Sequence, residues 1–176
     1  ITSIGSYSFE FFDNLTEVSL PESLKTIGEN AFDYCEKLTS VTLPYNLEEI
    51  KREAFNNTGL TNIIFPNSVK AIGAYAFART SLSSVNIPDS VERLERNAFR
   101  SETLQYVHIG SGVEVIDGNP FGRCVSLTSF DLSSDSKFTI KDDCIMDGTK
   151  LIAYPMGKIR DSYTVPSYVT ERGDYA

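Results

Sequence analysis

The stretch Leu38-Thr-Ser-Val41-Thr42-Leu43-Pro44-Tyr-Asn-Leu47-Glu-Glu-Ile50-Lys-Arg-Glu-Ala54-Phe55-Asn-Asn-Thr58-Gly59 decides the fold. Its first part, Val41-Thr42-Leu43, alternates inward and outward side chains and reads as a short strand. Pro44 ends that strand, because proline has no amide to donate to a ladder. Leu47 and Ile50 turn the chain back as a second extended or turn segment. Ala54-Phe55 is expected in a short helical turn, where the small alanine allows close approach and the phenylalanine fills the space between layers. One such unit leaves its apolar column bare, whereas stacked copies share it as a continuous core.

Copies lie on both sides. Leucine recurs at Leu15, Leu38, Leu60, Leu82, Leu104, Leu127 and Leu151, at spacings of 23, 22, 22, 22, 23 and 24. Proline recurs at Pro21, Pro44, Pro66 and Pro88. Ala-Phe recurs at Ala31-Phe32, Ala54-Phe55, Ala76-Phe77 and Ala98-Phe99, with Pro120-Phe121 in the same slot. Three columns in one register mark a repeat array. They assign Leu38, Val41, Leu43, Ile50, Phe55, Phe77 and Phe99 to its core. Six strands, opening at the first six leucines, are expected to pair in parallel as a wall about 29 Å long, at about 4.8 Å per step. The residue three after each phenylalanine (Phe12, Cys35, Thr58, Thr80, Glu102 and Cys124) forms a further column, whose Cys and Thr read as small groups hydrogen-bonded to neighbouring loops.

After Leu132 the pattern changes. Asp147-Gly148, between Cys144-Ile-Met146 and Leu151-Ile-Ala, reads as a hairpin turn. The expected organisation is a solenoid over 1–132, an atypical β-hairpin spacer over 133–162, and a further, truncated repeat over 163–176 that opens on Tyr163-Thr-Val165-Pro166. Arg172 breaks the slot held elsewhere by Ile27, Ile50 and Ile72. Both ends of the sequence fall inside a repeat. This predicts a section of a longer array whose open end layers favour end-to-end self-association.

These residues resemble the BspA-like, or Treponema pallidum-type, leucine-rich repeats. The pattern L-x-x-V-x-(L/I)-P-x-x-(L/V)-x-x-I-G-x-x-A-F-x-x-C is fullest from Leu15 to Cys35 and runs over about residues 1 to 132. The segment from Asp142 to Lys158 is similar to the β-rich spacer of that family. Gly110 and Ser133 in the proline slot, Pro120 for alanine, and Arg172 depart from the pattern. The resemblance implies a β-rich α/β fold. Specifically, it implies a right-handed leucine-rich-repeat solenoid with one short parallel strand, a turn segment and a short helical turn per repeat of 22–23 residues. It also implies a secreted or surface-anchored protein, bacterial by preference, of a kind linked with adhesion to host matrix proteins and immune recognition.

Composition narrows the function further. The 176 residues carry 16 Lys plus Arg against 24 Asp plus Glu, a net charge of -8. No nucleic-acid partner is expected, since no basic footprint is visible. No apolar run is long enough for direct membrane insertion. The single histidine, His108, excludes a multi-histidine metal site. Cys35, Cys124 and Cys144 contain no C-x-x-C pair and read as small buried residues. Asp142, Asp143 and Asp147 lack the spacing of a calcium loop and read as turn residues. No cofactor or metal is expected.

On the wall strands most outward residues are small and polar, including Ser40, Thr42, Ser84 and Ser129. Ile64, Tyr106 and His108 depart from this. The candidate binding face is therefore Asn62, Ile64, Asn86, Tyr106, His108 and Asp131, since exposed aromatics on a rigid face favour recognition. The second segments carry mixed charges, Lys25, Glu48, Glu49, Lys70, Glu92, Arg93 and Glu114, which read as a solvated flank. His108 lies within strand spacing, about 5 Å, of Ser84 and Ser129. The sequence holds no nucleophile elbow, phosphate loop or pocket-forming insertion, so catalysis is not expected. The expected function is a non-catalytic surface module that binds a protein: a host matrix or plasma protein, or another cell-surface protein. The alternative is a spacer segment with no ligand of its own.

Overall fold

The computed structural model describes residues 1–158, 162–174 and 176. In chain order its strands are β1 (Ser3–Ile4), β2 (Thr26–Ile27), β3 (Glu49–Ile50), β4 (Ala71–Ile72), β5 (Ser84–Ile87), β6 (Arg93–Glu95), β7 (Tyr106–Ile109), β8 (Val115–Asp117), β9 (Ser129–Leu132), β10 (Thr139–Lys141), β11 (Cys144–Asp147), β12 (Lys150–Ala153) and β13 (Glu171–Arg172). Like segments of successive repeats stack in parallel, so the chain is a β-solenoid.

The longer parallel sheet has the order β1-β2-β3-β4-β6-β8. It is built from the isoleucine slot: Ile4 pairs with Ile27, Ile27 with Ile50, Ile50 with Ile72, Ile72 with Leu94, and Leu94 with Ile116. The slot stays aliphatic because each copy lies over the last and faces the core, where Ile27, Ile50, Ile72 and Leu94 are fully buried. The shorter parallel sheet, β5-β7-β9, is the wall segment. The expected wall of six paired strands is therefore a ladder in three repeats only. In the coils before β5 the side chains still alternate: Leu38, Leu43, Ile63 and Phe65 are buried, Val41 is half-buried, and Thr42 and Ile64 are exposed. Packing of the inward side chains holds these segments in place, with Ser81 N donating to Leu60 O at 2.9 Å.

The expected helical turn at Ala-Phe is not there, and no described residue is helical. Asn30, Glu53, Tyr75 and Asn97, just before each alanine, and Tyr34, Asn57 and Arg79, two residues after phenylalanine, have φ between 54 and 58°. Left-handed residues at that frequency are incompatible with an α-helix. The turn's amides donate to the next coil instead: Phe32 N to Ala54 O at 2.8 Å, Phe55 N to Ala76 O at 2.8 Å, and Phe77 N to Ala98 O at 2.7 Å. This coil-to-coil bonding stacks the rings of Phe9, Phe32, Phe55, Phe77, Phe99 and Phe121, with centroids 5.1 to 6.1 Å apart and planes within 17°. The rings form the spine of the core, and Phe55, Phe77 and Phe99 lie inside it, each stacked on both sides.

The small-residue column divides by chemistry. The thiols of Cys35 and Cys124 donate to the preceding coil, at Phe9 O and Phe99 O. The hydroxyls of Thr58 and Thr80 donate within their own coil, to Phe55 O and Phe77 O. Glu102 is exposed and does not join the column; its neighbour Ser101 is buried and donates to Thr80 O at 2.9 Å.

Past β9 the chain leaves the stack. Strands β10, β11 and β12 run antiparallel, and Gly148, at φ 61°, turns the hairpin after Asp147. Residues 159–161, at the end of the expected spacer, and Tyr175 lie outside the described residues. Strand β13 adds to β12 in parallel, Leu151 opposite Arg172, and does not extend the long sheet. Arg172 is tolerated in the isoleucine slot because there it is exposed. The turns still stack across this excursion: Asn119 N donates to Asp174 O at 3.0 Å, as Asn97 N donates to Asn119 O at 2.8 Å.

Candidate functional site

The ladder β5-β7-β9 aligns Asn86, His108 and Asp131 in one row and Ser84, Tyr106 and Ser129 in the next. Inward neighbours Val85, Ile87, Val107, Ile109 and Phe130 are buried, which fixes the outward register. His108 Nδ1 lies 2.7 Å from Asp131 Oδ2, and the Tyr106 hydroxyl donates to the same oxygen at 3.4 Å. The hydrogen bond from His108 is the main reason that the Asp131 carboxyl is held below the usual range. Partial burial, and then the charge of Asp131, push the Tyr106 phenol up.

The network continues beyond the residues that patterning singled out. Ser133 Oγ lies 3.3 Å from His108 Nε2 and donates to Asp89 Oδ1 at 3.1 Å. The same Asp89 oxygen accepts from the amide of Ser111 at 2.7 Å and from its hydroxyl at 3.1 Å. These bonds, led by the Ser111 amide, hold the Asp89 carboxyl low. Two glycines make the approach possible. A Cβ on Gly110 would stand 2.5 Å from Asp89 N, and one on Gly112 would stand 1.8 Å from Asp89 O. The departures in the proline slot thus have a use. Gly110 lets the Ser111 coil close onto Asp89, and Ser133 supplies a hydroxyl, with an amide that donates to Ile109 O at 3.0 Å.

The chain Ser133–His108–Asp131 has the order of a hydroxyl, an imidazole and a carboxylate. Its setting differs from a nucleophilic site. The Ser133 proton is directed to Asp89, and the Ser133 amide, bonded to Ile109, is not free to stabilise an oxyanion. Ser84 and Ser129, the serines considered from sequence, stand in register with Tyr106 rather than His108. The network therefore orients the imidazole and the phenol and leaves their edges available to a partner.

Asn62 and Ile64 lie on the coil before β5 and make no contact in this cluster. Ile64 is 76% exposed, beside Thr42 and Pro66 along a shallow depression. On the flank, Lys25 pairs with Glu48 at 2.7 Å and Lys70 with Glu92 at 2.9 Å, from coil to coil. Exposed pairs of this kind contribute under about 1 kcal/mol each. No group of three or more His, Cys, Asp or Glu among the described residues is placed to hold a metal ion. Asp142 and Asp143, at φ 50 and 70°, make the turn into β11.

The family model for BspA type leucine-rich repeat regions matches the chain in six copies, over residues 2–128 and 70–157. No curated protein matches. Among solved structures, a leucine-rich repeat protein from Eubacterium ventriosum is 25% identical, with a TM-score of 0.83 over 93% of this chain and 45% of its own. A leucine-rich cell surface protein from Faecalibacterium prausnitzii is 26% identical, with a TM-score of 0.70 over 96% of this chain and 54% of its own. The T. pallidum leucine-rich repeat protein is 32% identical, with a TM-score of 0.66 over 74% of this chain and 63% of its own. The chain thus spans less than two thirds of the length of these relatives.

Proposed function

We propose that this chain, which belongs to the BspA-type leucine-rich repeat family, is a non-catalytic protein-binding module of a secreted or cell-surface bacterial protein. The partner is a host matrix or plasma protein, or another surface protein, and it docks on the β5-β7-β9 face. One observation carries this reading: Tyr106, His108 and Asp131 are tied together by hydrogen bonds on a buried-backed ladder. Such a cluster loses little side-chain freedom on binding, which favours affinity. The similarity to a leucine-rich cell surface protein supports the location.

Magnitude sets the mode of binding. Three strands at about 4.8 Å and four residues at about 3.3 Å present roughly 200 Å² in projection. A standard interface buries about 800 Å² on each partner. The face alone binds weakly, and many copies on a cell surface supply the rest through avidity. A spacer role is the second reading, favoured by the small polar outward residues Ser84, Asn86 and Ser129. The test is capture of immobilised host matrix and plasma proteins by the chain on beads, beside Tyr106→Ser/His108→Ser. Binding lost in the variant supports the ladder face; binding retained places the site elsewhere. Absence of binding favours the spacer.

A further inference from the structure

Arg79, Arg96, Arg100 and Arg123 have no ion-pair partner among the described residues. In a chain with 24 acidic residues to 16 basic ones, four unpaired guanidiniums on one edge are not an average surface. They lie on the turn edge beside the phenylalanine spine. Arg79 and Arg123 come two residues after Phe77 and Phe121, and Arg100 comes directly after Phe99. Arg79 N donates to Arg100 O at 2.7 Å, so these two sit on adjoining coils. Arg79, Arg100 and Arg123 line one concavity, with Glu102 and Thr103 at its side. Arg100 and Arg123 also line a second with Tyr75, Tyr154 and Met156, and Arg79, Arg96 and Arg100 a third. Arg100 is common to all three, so they adjoin along this edge as a groove, with the Arg52–Glu53 pair at the far end of the third. Neighbouring like charges repel, and an anionic ligand removes that cost.

We propose that this groove binds an extended acidic segment of a partner protein, with its carboxylates taken by Arg79, Arg100 and Arg123. Guanidinium forks bind carboxylates in bidentate fashion. The spacing fits. The spine rings of these coils step by 5.6 and 6.1 Å, from Phe77 to Phe99 to Phe121. An extended peptide along the solenoid axis presents same-face side chains about every 6.6 Å. Two features favour a peptide over a uniformly charged polymer. Glu102 lines the groove and would repel a ligand charged at every unit, whereas a peptide places a neutral residue there. Tyr75, Tyr154 and the exposed Met156 offer apolar contact to side chains between the acidic ones. The groove shares no residue with the Tyr106 cluster, so this inference and the one above stand or fall separately.

The test is fluorescence anisotropy of a labelled octapeptide of alternating Glu and Ser, at about 20 mM salt where screening is weak. Binding is expected for the native chain and for Tyr106→Ser/His108→Ser, and not for a Gln-Ser control peptide. Arg79→Gln/Arg100→Gln/Arg123→Gln should weaken it about tenfold or more, and the triple lysine variant by several-fold, because lysine keeps the charge without the fork. Circular dichroism checks folding. Should the triple variant not fold, Arg79→Glu and Arg123→Glu, at exposed positions, carry the same test singly. No binding by the native chain, or equal binding by the variants, overturns the proposal. Tighter binding of heparin or a single-stranded oligonucleotide than of the peptide overturns the peptide assignment.

Discussion

Asp131 and His108 face each other across adjacent strands, and Asp131 Oδ2 stands 2.7 Å from His108 Nδ1. A carboxylate there accepts a hydrogen bond from Nδ1–H, so the neutral imidazole is held as the Nδ1–H tautomer, with Nε2 toward Ser133 Oγ. Neutral histidine in water favours the other tautomer. As the chain has a single histidine, ring nitrogen shifts are assignable without ambiguity. We expect long-range proton–nitrogen correlation spectra of the neutral ring to show Nδ1 protonated, and Asp131→Ala to return the ring to the Nε2–H form. An unchanged tautomer in the variant would mean that the pair does not orient the ring.

Asp89 and Asp131 predict one limb of the acid response. Hydrogen bonds to the ionised form, from Ser111 and from His108 respectively, place both folded values below the usual carboxylate value of 3.8. Their contribution to stability is complete above that value and is lost as pH falls through the depressed folded ones. Asp33 works in the opposite sense. Burial raises it, against the amides of Asn30 and Asn56 that donate to its two oxygens at 2.7 and 2.8 Å. Its ionisation therefore costs stability as pH rises above 3.8. Denaturant midpoints for Asp89→Asn and the native chain should converge as pH falls below 3.8. A gap that stays constant over that fall would remove the assigned linkage.

The phenylalanine spine predicts a large and local cost. Phe77 stacks on Phe55 and Phe99, and it meets the edge of Phe65. Phe77→Ala removes all three contacts in a fully buried site and should cost about 3–5 kcal/mol by equilibrium denaturation. Phe77→Leu fills most of the volume and should cost about half as much. A loss below about 1 kcal/mol for alanine would contradict a shared core between coils.

The repeat, its period and its buried columns were legible because burial has to be paid in every coil by the same slot. Ile50, Phe55 and Leu38 announce themselves through their copies. Two features were not legible. Alternation at Val41-Thr42-Leu43 tells which side chains face inward, but not whether the amides of adjoining coils come close enough for a ladder, and only the β5-β7-β9 coils do. Ala-Phe was read as helical because both residues are compatible with a helix. The left-handed residues that decide otherwise, such as Glu53, Tyr75 and Arg79, are types with no preference for that conformation. The functional sites divide the same way. Tyr106 and His108 stood out as exceptions in a polar column, whereas Ser133 showed only as a departure from proline, and Asp89, directly after Pro88, carried no signal of its own. The arginine groove was hidden by the net charge, which averages over the surface. Its one signal was arginine directly after, or two after, phenylalanine in three successive repeats: Arg79, Arg100 and Arg123.

Cys124 gives a readout of coil opening. Its thiol donates to Phe99 O in the preceding coil at 3.2 Å, and burial pushes it up to about 11. Cys35 is likewise raised by burial. Alkylation needs both the thiolate and access. At pH 8 a thiol with that value is about one part in a thousand ionised, and in the folded chain that part is enclosed. Iodoacetamide should therefore modify Cys124 only as fast as its coil opens. The rate should rise with urea in step with the loss of circular dichroism, and Phe99→Ala should accelerate it by loosening the layer against which Cys124 is bonded. Peptide mapping separates Cys124 from Cys35 and Cys144. Modification of Cys124 in native buffer at the rate of a free thiol, with the circular dichroism intact, would show that the coil-to-coil contact at Phe99 does not close this part of the core.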